Sequence, residues 1–159
     1  MHEHQRPAQP TGSAEPGLTE AVTAPLPDGR LTMDGFARWS LSAVPALPDR
    51  PAYVRHQVTA VLHLWELDGI AWAVELVVAE LVGNVIRHAR TPFNVTLTWD
   101  GQLLRGEVSD ANPRQPAPVE YVEADATGGR GLHIVDAASS RWGFEPHQQG
   151  KTVWFEIAS

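Results

Sequence analysis

Between Ala71 and Arg90 (AWAVELVVAELVGNVIRHAR), Trp72, Val74, Val77, Val78, Leu81, Val82, Val85 and Ile86 fall at helical spacing over most of a cylinder. The pattern predicts a largely buried helix. Glu80, Asn84 and His88 interrupt it at every fourth residue, so they line one narrow polar ridge. Desolvating a carboxylate costs on the order of several kcal/mol unless a partner offsets it. A mostly buried helix therefore carries such a ridge where it faces solvent or a ligand cavity, and this helix alone does not choose between them.

The flanking patterns are simpler. Phe36 to Val44 partly alternates and predicts a first strand. Ala52 to Leu67 predicts an amphipathic helix, with Val54, Val58, Val61, Leu62 and Trp65 inward and Arg55, His56, Thr59, His63 and Glu66 wet. Asp49 is placed to cap that helix, Pro51 suits its first turn, and Asp68-Gly69 is expected to end it. Thr91-Pro92 stops the long helix. Phe93, Val95, Leu97 and Trp99 then alternate strictly with polar residues, and Asp100-Gly101 reads as a hairpin turn. The return strand, Gln102 to Asp110, puts Leu104, Gly106, Val108 and Asp110 on a common face. Asp110 thus points the way core residues point, either capping the next turn or reaching into a pocket.

Ala111 to Gly129 shows no periodicity, and a loop of that length inside a compact domain is usually functional or mobile. Gly128, Gly129 and Gly131 lead into a short helix with Leu132, Val135 and Ala138 inward. Arg141 to Glu145 and Lys151 to Ala158 predict a last hairpin. Strands in antiparallel runs and helices in blocks indicate an α+β fold, a two-layer sandwich whose mixed, mostly antiparallel sheet carries the helices on one face. Residues 1–29 are rich in Pro, Ala, Gly, Glu and Thr and predict a disordered tail ahead of one domain over 30–159.

Composition removes several classes of function. Acidic residues outnumber Lys and Arg, for a formal charge of −7. No basic patch dominates, which argues against nucleic acid or an anionic membrane as a direct partner. The chain has no cysteine, so disulfides, thiolate metal sites and cysteine nucleophiles are absent. No signal peptide is visible and no apolar run approaches the ~20 residues of a membrane span, so a cytoplasmic location is expected.

Glycines before a helix let the backbone approach an anion, whose charge the helix's unpaired N–H groups receive, although glycines also serve plain turns. Arg130 among them adds a charged contact or projects into water. Gly150-Lys151-Thr152 resembles the end of a P-loop, but Glu145 stands where that motif needs glycine and a strand follows instead of a helix. The glycines do not follow a parallel strand within a βαβ unit, so nothing supports a dinucleotide fold, and Ser109-Asp110 with scattered histidines gives no nucleophile elbow.

Taken together, Glu80-x-x-x-Asn84 on a helix, an aspartate ending a hairpin strand, a long loop and glycines opening a helix resemble the GHKL superfamily, whose ATP-binding domain is the Bergerat fold. ELVGNVIRHA, VSDANP, GGRGLHIV and GKTVWFEI look like the small anti-sigma-factor serine/threonine kinases and their actinobacterial relatives. The resemblance implies Asn84 as the magnesium ligand through its side-chain oxygen and Glu80 as general base. It implies that His88 lines the phosphate side and that Asp110 accepts the adenine amino group. Gly129, Arg130, Gly131 and Leu132 would meet the phosphates through backbone amides, and residues 111–127 would form the ATP lid. It also implies a sigma factor and an anti-sigma-factor antagonist as partners, and allows a homodimer. No histidine-phosphorylation domain precedes the ATP module, which argues against a sensor histidine kinase. The rival is a non-catalytic sequestering or adaptor protein of the same fold. Two positions depart from many relatives: Asp110-Ala111-Asn112-Pro113-Arg114 lacks the D-x-G-x-G glycines, and Lys151 stands where threonine follows the hairpin glycine.

Overall fold

A computed structural model describes residues 36–114 and 130–159. The tail over 1–29, the loop from 115 to 127, Gly128 and Gly129 lie outside the described residues. Five strands, Ala37–Val44 (β1), Phe93–Trp99 (β2), Leu103–Asp110 (β3), Arg141–His147 (β4) and Gly150–Ala158 (β5), form one sheet in the order β1-β2-β3-β5-β4. All four pairings among the described residues are antiparallel, so the expected α+β class holds with a purely antiparallel sheet in place of a mixed one.

Strand alternation sets the two faces. Val95, Val108 and Val153 make one inward row, and Leu97, Gly106 and Phe155 the next. Gly106 is required there by packing, because a Cβ would lie 2.2 Å from the Phe155 ring. The row that closes this apolar face is Phe93, Asp110 and Lys151. The core stripe therefore ends in charge.

The opposite face is polar. Ser109 and Thr152 share a hydroxyl hydrogen bond of 2.7 Å, so Thr152 does point away from the helices. Arg105 and Arg141 both hydrogen bond Glu156, and the Arg105 guanidinium stacks 4.4 Å from the Trp154 ring. Burial pushes the Glu156 carboxyl up, and the hydrogen bonds and charges of the two guanidinium groups outweigh that push and leave it below the usual range.

The helices differ from expectation mainly at their ends. Helix α1 spans Arg50–Leu64 with Pro51 in its first turn. Asp49 stands at the N-cap, but its side chain makes no cap bond; its carbonyl accepts the Tyr53 N–H instead, at 3.3 Å. Asp68-Gly69 does not end α1. Glu66, at φ 59°, turns the corner, and Asp68 opens α2, Asp68–Asn84. The chain continues as a π-helical turn over Val85–Ala89, closed by the Arg90 N–H on the Val85 carbonyl and by a left-handed Arg90, φ 56°.

Trp72 is not a core residue. It is 68% exposed, and with Leu76 four residues on it forms the outward side of α2, while Val74, Val77, Val78, Leu81 and Val82 face the sheet and α1. Asp68–Ala89 is 22 residues long and contains an 18-residue stretch of mean hydropathy 1.7, long and apolar enough by length and composition alone to cross a bilayer. This corrects the expectation that no stretch approaches that length. In the fold the helix's apolar side is the centre of the core.

The α1–α2 corner has its own pH signature. His63 Nδ1 lies 3.0 Å from Asp68 Oδ1, and that hydrogen bond, followed by the carboxylate's charge, raises the imidazole pKa above 6.5. A raised histidine pKa stabilises the fold fully below the unfolded value and ceases to do so as pH climbs through the folded one. NMR titration is expected to place His63 above its ordinary range, with Asp68→Asn returning it toward 6.5.

Candidate functional site

Glu80 and Asn84 stand one helical turn apart on α2, each half-buried. The element they face is the start of α3, Arg130–Ala138. Gly131 sits so close that a Cβ there would be 2.8 Å from Glu80 Oε2 and about 3.5 Å from the Asn84 amide. Without a side chain at Gly131, the backbone of that first turn comes directly against the carboxylate and amide. Leu132 and Val135 anchor α3 by burying against the core side. The unpaired N–H groups of a helix's first turn favour negative charge, so an amide, a carboxylate and a helix N-terminus converge at one place.

Arg87 joins them, a site residue that none of the sequence motifs picks out. Its Nη2 donates to Asn84 Oδ1 at 2.9 Å and lies 3.9 Å from Glu80 Oε2. Gly83 leaves room for this return, since a Cβ there would lie 3.2 Å from the guanidinium. The spacing to Asn84, i to i+3, was the available signal. The guanidinium balances the ridge's charge.

His88 falls within the π-helical turn. Such a turn takes an extra residue, so even spacing in sequence does not remain even in space. His88 is exposed, and its carbonyl accepts the Asn112 side-chain amide at 3.4 Å. Ala111 donates its N–H to Thr91 Oγ1 at 3.1 Å. These two bonds tie the chain leaving β3 to the end of the long helix.

Asp110 is the most deeply placed charge of the site, its side chain 3% exposed. The capping reading holds, and the buried side chain is paired besides. Its Oδ1 caps the following turn by accepting the Asn112 N–H at 2.8 Å, and its inward face meets Lys151, whose Nζ lies 3.0 Å from Oδ1 and 2.9 Å from Oδ2. Gly150 brings β5 against β3 here: at φ 148°, a Cβ would lie 1.9 Å from the Asp110 carbonyl oxygen. Gly129 lies outside the described residues, and Arg130 contributes the first backbone unit of α3.

A family model described as a histidine kinase-like ATPase domain matches residues 44–157, which take in the helices and strands β2 to β5, with β1 ahead of the match except for Val44. The chain belongs to this family. No curated protein matches it. Among solved structures it resembles the crystal structure of the RsbU and RsbW domains of Rv1364c from Mycobacterium tuberculosis, with TM-score 0.56 and 17% identity over 76% of this chain. That likeness is one of fold, and the match takes up 31% of the length of the mycobacterial chain. A histidine kinase domain from the blue-light activated histidine kinase of Erythrobacter litoralis is also similar, with 19% identity over 74% of this chain, 64% of that chain and TM-score 0.42.

The fold is thus the GHKL-type ATPase fold, and the family implies ATP as its ligand. The oxygens offered by Glu80 and Asn84 are of the hard kind that suits magnesium. Among the described residues no cluster of three or more His, Asp or Glu side chains is placed to hold a metal alone. One amide oxygen beside a carboxylate, next to a glycine-lined helix start, fits an ion that keeps waters and takes its other ligands from phosphates.

Proposed function

We propose that this histidine kinase-like ATPase domain binds Mg-ATP in the cytoplasm and phosphorylates a serine or threonine of an anti-sigma-factor antagonist, holding a sigma factor in a competing complex. The observation that carries the reading is the meeting of Glu80 and Asn84 with Gly131 at the start of α3. Support for the regulatory class comes from the resemblance of ELVGNVIRHA, GGRGLHIV and GKTVWFEI to the anti-sigma kinases.

In this reading Asp110 receives the amino group of the base, and the first N–H groups of α3 hold phosphate oxygens. Asn84 Oδ1 turns from Arg87 to serve as a metal ligand, and magnesium, when bound, neutralises charge on the phosphate oxygens. Glu80 accepts the proton of the attacking hydroxyl. The hydroxyl oxygen bonds to the γ-phosphorus, the bond to the β–γ bridging oxygen breaks, and ADP leaves. Phosphoryl transfer depends on positioning and charge stabilisation, which a short list of groups can supply.

The test combines the purified protein with γ-labelled ATP, magnesium and each antagonist encoded in the same genome. Label on an antagonist supports the proposal. Sigma-factor binding with no transfer to any antagonist overturns the kinase assignment in favour of a sequestering protein. Calorimetry showing no heat with ATP overturns the nucleotide reading itself.

A further inference from the structure

Lys151 is the only lysine in the sequence; all other Lys/Arg positions are arginine. It is spent in the interior, its side chain 11% exposed, directly across the sheet from Asp110. Replacing a buried ion pair by apolar residues of similar volume is often neutral or stabilising, so packing by itself does not account for it.

The hydrogen-bond count shows what the pair leaves over. Nζ carries three N–H groups. One is directed at the Asp110 carboxylate and one at the Asn112 carbonyl, 3.1 Å away, which leaves a third. Asp110 Oδ1 already accepts the Asn112 N–H as well, whereas the contact of Oδ2 is the Lys151 ammonium. Nζ lies 3.0 Å from Oδ1 and 2.9 Å from Oδ2, so one N–H is shared between the two oxygens; the ammonium keeps its third N–H, and Oδ2 keeps a lone pair for a second hydrogen bond beside it. A guanidinium would lay a planar fork across both carboxylate oxygens; a compact ammonium directs its donors three ways and keeps one for a visitor.

We propose that Lys151 is a base-reading residue of the nucleotide site, its ammonium donating to N1 of the adenine whose amino group Asp110 Oδ2 accepts. The pair thus offers a donor beside an acceptor to a base edge that offers an acceptor beside a donor. This rests on the site being an ATP site, as proposed above.

Having one lysine makes the test direct. Protein labelled with 15N at the lysine side chain gives a single Nζ resonance, and this is followed during titration with ATP and with 1-deaza-ATP, which keeps the amino group and lacks N1. ATP is expected to shift the resonance and to bind about tenfold to a hundredfold more tightly than the analogue, the range of a hydrogen bond to a charged group. In Lys151→Met that ratio is expected to fall to about one. If that variant does not fold, the wild-type titrations decide alone. Equal affinity for the two nucleotides, or an unmoved resonance on ATP binding, overturns the inference while leaving the ATP site standing. Tighter ATP binding by Lys151→Met also overturns it, making the lysine a plug. A preference for GTP overturns the adenine assignment, and absence of any nucleotide binding removes the site reading beneath it.

Discussion

Glu80→Gln is expected to bind ATP as the wild type does and to lose phosphoryl transfer by about a hundredfold to ten-thousandfold, the range for removing a positioned general base. The substitution keeps the side chain's size and an oxygen for Arg87, which approaches Glu80 only to 3.9 Å and makes its shorter bond to Asn84. What it removes is the capacity to take a proton. The loss should therefore fall on kcat, with KM for ATP and the calorimetric affinity nearly unchanged. Full activity in the variant would show that the base lies elsewhere. A parallel loss of ATP affinity would show that Glu80 serves the charge balance of the ridge.

The largest loss of stability is expected from Gly150→Ala. The new Cβ would be 1.9 Å from the Asp110 carbonyl oxygen and 2.7 Å from the Ala111 Cα, both backbone atoms with no rotamer to yield. The position also sits at φ 148°, a region essentially reserved for glycine. Overpacking costs about 1–3 kcal/mol and such a backbone conformation about 1–3 kcal/mol more, so a loss of about 2–6 kcal/mol in urea unfolding is expected. Gly101→Ala separates the two causes. Gly101 has φ 96°, and a Cβ there would meet nothing within 4 Å, so it should lose only the backbone share, about 1–3 kcal/mol. Equal losses at the two positions would show that the close approach of β5 to Asp110 carries no cost. Because Gly150 seats Lys151, its variant should also weaken nucleotide binding in any fraction that folds.

Local pattern carried much of this protein. A period of two placed Phe93, Val95 and Leu97 inward and gave Asp110 its buried orientation, because alternation along one strand requires no knowledge of its neighbours. A period near four put Glu80 and Asn84 on one side of one helix. The family followed from the order of these motifs, since order along the chain is also a one-dimensional property.

The remainder depended on which segments meet. Asp110 and Lys151 are 41 positions apart, and only the β3–β5 register makes them partners. Gly131 reaches Glu80 and Asn84 because α3 docks on α2, a contact absent from either helix's own spacing. Trp72 is apolar and helical in sequence, but whether that side of α2 meets the sheet or water was decided by how the helix lies on the core. The π-helical turn that takes in His88 closes on an i-to-i+5 backbone hydrogen bond, Arg90 to Val85, to which side-chain periodicity is blind. Periodicity reports the direction of a side chain relative to its own backbone, whereas a site is made of side chains from different backbones, and their distances exist only after the chain has packed.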